Sequence, residues 1–95
     1  MIKIIAKLIV AENKIEDFKA AAQNLIQKSR EEEGNVFYTL NVSTTDPCLM
    51  VFVECWKDEA AVASHNSAEH FTSILPQLVD MCTENPVIEL YEEIL

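Results

Sequence analysis

VFYTLNVSTTDPCLMVFVECWK, residues 36–57, is the stretch on which the fold turns. From Val36 to Thr45 the chain alternates Val36, Tyr38, Leu40 and Val42 with Phe37, Thr39, Asn41 and Ser43, the period of two that a β-strand requires. Thr45-Asp46-Pro47 reads as a turn, and Cys48 to Lys57 follows as a second strand, so the two form a hairpin. Leu49, Val51, Val53 and Cys55 share one face of that second strand, and Met50, Phe52, Glu54 and Trp56 share the other.

Upstream, residues 2–10 are rich in β-branched side chains and read as a strand. Ile2, Ile4, Ala6, Leu8 and Val10 give it a wholly apolar face, while Lys3, Ile5, Lys7 and Ile9 give a mixed one. Between this strand and the hairpin, Ile15, Phe18, Ala22, Leu25, Ile26 and Ser29 recur at helical spacing. They predict a helix over about 14–33, with Asn13 as N-cap and Gly34, the single glycine, as a C-cap at positive φ. Downstream, Asp58 caps a short helix from Glu59 to His65, and Ser67 caps another bearing Phe71, Ile74, Leu75, Leu78, Val79 and Cys82. Pro76 is expected to kink or split that helix. Val87 to Leu95 alternates again as a last strand.

The order β-α-β-β-α-β is the split βαβ, or ferredoxin-like, arrangement: an α+β fold with a four-stranded antiparallel sheet and its helices on one face. Its 95 residues make one domain, 1–95. The other sheet face, read as Lys3, Ile5, Lys7, Ile9, Phe37, Asn41, Phe52, Trp56, Glu89 and Tyr91, is too apolar to stay wet, so a homodimer packed sheet to sheet is expected.

Seven basic and sixteen acidic residues leave a net charge of −9, which disfavours nucleic acid and anionic membrane surfaces as partners. Apolar runs such as Leu8–Ala11 and Leu49–Val53 are far shorter than the roughly 20 residues that span a bilayer. Lys7 and Glu12 interrupt what would otherwise resemble a leader, and the expected location is cytoplasmic. Cys48, Cys55 and Cys82, three in number and without a Cys-x-x-Cys pair, read as small buried hydrophobes. One glycine rules out phosphate loops, nucleotide fingerprints and a nucleophile elbow.

Chemistry concentrates between Glu54 and Phe71, which holds both histidines. His65 ends one helix and His70 lies in the first turn of the next, so both could face one cavity without the i, i+4 spacing of a zinc pair. With no carboxylate clustered beside them in sequence, no metal site is expected. Glu54, buried in a strand, calls for a partner, and Lys3 or Lys7 on a neighbouring strand could supply one.

The string ECWKDEAAVASHNSAEHF, residues 54–71, resembles the antibiotic biosynthesis monooxygenase domain, where a strand ending in a Glu-x-Trp-like pattern leads into an Ala-rich helix, a His, and a short helix opening with His and an aromatic residue. Within that family it looks most like small quinol monooxygenases and autoinducer-2 degrading proteins. The resemblance implies a dimeric α+β barrel and a cofactor-independent monooxygenase that uses O2 on a small aromatic or quinol-like substrate. His65 or His70 would be the base, Trp56, Phe71 and Phe52 the walls, and Glu54 or Asn41 a polar anchor. Haem-degrading relatives need an Asn in the first strand and a ligating His in the last long helix, positions that fall here at Lys7 and near Leu75. Haem degradation is therefore not expected. The same residues leave two alternatives: degradation or isomerisation of a small carbonyl signalling compound, and a non-catalytic dimeric small-molecule-binding or stress protein.

Overall fold

The computed structural model describes residues 1–95. Strands β1 (Ile2–Ile9), β2 (Asn35–Val42), β3 (Leu49–Trp56) and β4 (Val87–Glu92) form one antiparallel sheet in the order β2-β3-β1-β4. Helix α1 (Ile15–Arg30) connects β1 to β2, and α2 (Glu59–Ser67) and α3 (Glu69–Asp80) connect β3 to β4. This is the expected α+β, ferredoxin-like split βαβ, and no helix is long and apolar enough to cross a membrane.

Register decides which side chains meet the helices. Ile4 pairs with Glu54, Ala6 with Phe52 and Leu8 with Met50, while Tyr38 and Leu40 oppose Glu54 and Phe52 from the other side. Cross-strand partners share a face, so Ile4, Ala6, Leu8, Tyr38, Met50, Phe52 and Trp56 all point to the helical layer. There they pack with Phe18, Ala22 and Leu25 of α1, Val62 of α2 and Leu78 of α3. Phe52 and Trp56 are therefore core, not part of the open face as the sequence suggested. Alternation cannot choose between two apolar faces of one strand; pairing with the apolar face of β1 does.

The open face is carried instead by Ile5, Ile9, Leu49, Val51 and Val53, with Lys3, Lys7, Phe37, Thr39 and Asn41 around them. Glu54 lies across the sheet from Lys3 and Lys7 and cannot pair with either. Lys3 binds Glu93 at 2.6 Å instead.

The helix ends also differ from expectation. A short 3-10 turn, Glu12–Lys14, precedes α1, and no side chain caps it. Helix α1 stops at Arg30, and Glu31–Gly34 form a turn before β2. Gly34 does not have positive φ. Its missing side chain matters for another reason: a Cβ there would stand 2.3 Å from Ala61 Cβ, so glycine lets this turn close on α2. Asp58 caps α2 as expected, its Oδ1 accepting from Ala61 N at 2.8 Å. Ala68, not Ser67, is the N-cap of α3, and Pro76 is accommodated within that helix without dividing it. Strand β4 ends at Glu92 rather than at the last residue.

Candidate active site

Helices α1 and α3 lean on each other and α1 packs against β2, leaving β4 uncovered: Ile88 and Leu90 face the helical side yet remain 47% and 57% exposed. A cavity of about 260 Å³ opens there and runs in between the sheet and α2–α3. Ile4, Ala6, Leu8, Leu25, Phe52, Val62, Phe71 and Leu75 make its walls apolar, and Pro86, Ile88 and Leu90 form the β4 side. Tyr38, Glu54, His65 and Asn66 are its polar groups, and no Lys or Arg lines it.

His65 is placed by the start of α2. The Asp58 cap fixes where the helix starts, and two turns later His65 turns inward, 1% exposed. Its ring lies against Trp56 with centroids 4.4 Å apart, against Phe71 at 4.7 Å and near Tyr38 at 5.6 Å. Nδ1 stands 2.7 Å from Glu32 Oε2, and a carboxylate oxygen can only accept, so Nδ1 carries the proton. Nε2 is buried with no protein partner, on a residue that lines the cavity. Burial pushes the His65 pKa down, with the Glu32 carboxylate opposing this in part. The result is a neutral imidazole with a free lone pair, the form a general base needs.

His70 does not line the cavity. Its Nε2 donates to the same Glu32 oxygen at 2.9 Å, so the two histidines share one carboxylate. Glu32 was not singled out from the sequence, which put it inside the helix expected over about 14–33. It sits in the turn that Gly34 closes onto α2, and of the run Glu31-Glu32-Glu33 it alone is half-buried.

Glu54 marks a second polar corner. Trp56 Nε1 donates to its Oε1 at 2.9 Å, and the Tyr38 side chain is its cross-strand neighbour. Burial raises the Glu54 pKa to about 7; Trp56 and Tyr38 oppose the rise, and the charge of Glu32 adds to it. Burial, then the nearness of Glu54, also drives the Tyr38 phenol well above its usual value, so it stays protonated. Of the residues singled out from sequence, His65, Glu54, Phe52 and Phe71 meet in the cavity. Trp56 lies behind it, stacked on His65. Asn41 is not brought there at all: it projects from the opposite sheet face, donating to Thr39 Oγ1 and Val51 O.

A family model, antibiotic biosynthesis monooxygenase, matches residues 1–76. The chain belongs to the antibiotic biosynthesis monooxygenase family. A relative from Bacillus subtilis (strain 168), named "Putative monooxygenase YcnE", is 44% identical over 71 residues, 75% of each chain. A crystal structure of an antibiotic biosynthesis monooxygenase superposes with a TM-score of 0.94 at 29% identity over the whole of both chains. A conserved protein from Methanosarcina mazei Go1 gives 0.95 at 28% identity, covering 97% of this chain and 91% of that one. Family membership supports a monooxygenase-like function in general terms, and the cavity geometry bears on the particulars.

Proposed function

We propose that this protein is a cofactor-independent monooxygenase that oxidises a small, neutral aromatic or quinol-like substrate with O2, using His65 Nε2 as the base. The observation that carries this reading is a buried, unpartnered Nε2 on a histidine whose Nδ1 is held by a carboxylate, at the wall of an apolar cavity. The base takes a proton from the substrate and leaves an electron-rich carbanion or phenolate. Apolar walls keep that anion poorly solvated and therefore reactive toward O2. For an activated ring methylene the sum is CH2 + O2 → C=O + H2O, so the substrate supplies all the electrons. Glu54, titrating near neutrality, can hold a substrate hydroxyl or carbonyl.

The lining also argues about charge. With Glu54 inside the cavity and no cationic side chain on its walls, a phosphorylated or carboxylated ligand would meet repulsion and no counter-charge. A neutral ring with one or two polar groups fits. The homodimer belongs to the same proposal: the apolar strip Ile5, Ile9, Leu49, Val51 and Val53 gives a second copy a surface to cover.

Oxygen-electrode assays over hydroquinones and anthrones test the chemistry. We expect uptake with at least one of them, falling by about 10²- to 10⁴-fold in His65→Ala. Turnover of a small carbonyl compound without oxygen uptake would favour the other enzymatic reading, and binding without turnover would favour a binding protein. A sedimenting species of twice the chain mass at micromolar concentration is expected; a stable monomer would remove the dimer.

A further inference from the structure

No carboxylate is clustered with the two histidines in sequence, and the fold supplies one. Glu32, from the turn after α1, meets His65 at the end of α2 and His70 in the first turn of α3, and their three ligand atoms lie within 4.8 Å of one another. We infer that these residues form a site for one divalent transition-metal ion, Zn2+ foremost, placed on the far side of His65 from the cavity.

Two imidazole nitrogens and a carboxylate oxygen are a donor set that such ions take, with water in the fourth position of a tetrahedron. Glu32 Oε2 now stands 2.7 Å and 2.9 Å from the two nitrogens. Ligands about 2.1 Å from a tetrahedral ion are roughly 3.4 Å apart, so seating an ion widens the two N···O separations by about half an ångström and draws the two nitrogens, within 4.8 Å of each other, together by up to about 1.4 Å. Charge points the same way. Lys3 pairs with Glu93 and Lys19 with Glu16, and the partners of Glu32 are the two imidazoles alone, so no Lys or Arg neutralises this part-buried carboxylate in a chain of net charge −9. The Glu32 and His70 side chains are each 16% exposed, which gives an ion entry from solvent without passing the cavity.

The placement sets the consequence. His65 lines the cavity and Glu32 and His70 do not, so the ion sits behind the base. An ion on Nδ1 displaces that nitrogen's proton, and the neutral ring then carries its proton on Nε2, turning the unpartnered acceptor into a donor. The loaded protein has no base on the cavity side, and occupancy switches it off. The ion site stands on its own geometry; the inhibition rests on the reading of His65 as base, and the two are measured separately.

Zn2+ is titrated into the full chain against a chromophoric chelator, and Co2+ absorption and histidine 15N shifts are recorded in parallel. We expect one ion per chain, tetrahedral Co2+ bands, and affinity at least about tenfold weaker in both Glu32→Gln and His70→Gln. The 15N spectra of the unaltered protein, which has two histidines, should show His65 Nδ1 and His70 Nε2 as the ligated atoms even if a variant fails to fold. No saturable binding tighter than millimolar, equal affinity in both variants, or unperturbed ring nitrogens would overturn the site. Binding with undiminished oxygen uptake would retain the site and overturn the switch.

Discussion

Each of the two polar corners of this site contains a carboxylate, and the fold treats the two in opposite ways. Glu54 is planted mid-strand, 4% exposed, with neutral donors for company: the Trp56 indole and the Tyr38 phenol. Burial dominates, and its proton is held up to about neutral pH. Glu32 stands in a turn, part-exposed, and is shared by two imidazoles. What it governs is not its own proton but theirs, because an acceptor that takes Nδ1–H from His65 leaves Nε2 bare. A deeply buried acid becomes a titrating group, whereas a half-buried one becomes an orienting group.

Breaking the Glu54 corner should give the largest effect on stability. Unfolded, this carboxyl releases its proton near 4.5; folded, it holds it to about 7. The folded state therefore binds more protons in that window, and the stability this group contributes is present below pH 4.5 and lost as pH rises toward 7. Relative to Glu54→Gln, the wild type should lose up to roughly 3 kcal/mol across the window, read from urea melts at several pH values. Parallel curves for the two proteins would show that Glu54 has an ordinary pKa.

Glu32→Gln tests the other corner. A Gln keeps the size but no longer enforces donation from Nδ1, so turnover should fall about 10- to 100-fold, in kcat more than in KM, while stability changes little with pH. A change confined to KM would make Glu32 a binding residue instead. The smallest effect concerns the turn that delivers Glu32. Gly34→Ala forces a methyl onto Ala61 and should cost about 1–2 kcal/mol, most of it recovered in the double variant with Ala61→Gly.

The hairpin and the helices were legible because alternation and helical spacing are local properties of the chain. Which face of β3 is core was not, since Val51 and Val53 are as apolar as Met50 and Phe52; the register against Ile4 and Ala6 settles it. That one choice moves Phe52, Glu54 and Trp56 together, and with them the cavity. The end of α1 was misread because Glu31-Glu32-Glu33 looks like a solvated last turn, and the stop depends on contact between Gly34 and a helix 27 residues further along at Ala61. Both histidines could be picked from sequence as titratable groups near an apolar segment. Their shared carboxylate could not, for it lies 33 residues from His65 and 38 from His70.

The central claim concerns a single nitrogen atom. Long-range 1H–15N spectra of the metal-free protein near pH 7 report the tautomer of each histidine directly. His65 should appear as the neutral Nδ1–H form, with Nε2 shifted to the position of an unprotonated ring nitrogen. An Nε2–H tautomer, or an imidazolium, would leave no lone pair on the cavity side and would contradict the assignment of His65 as the base.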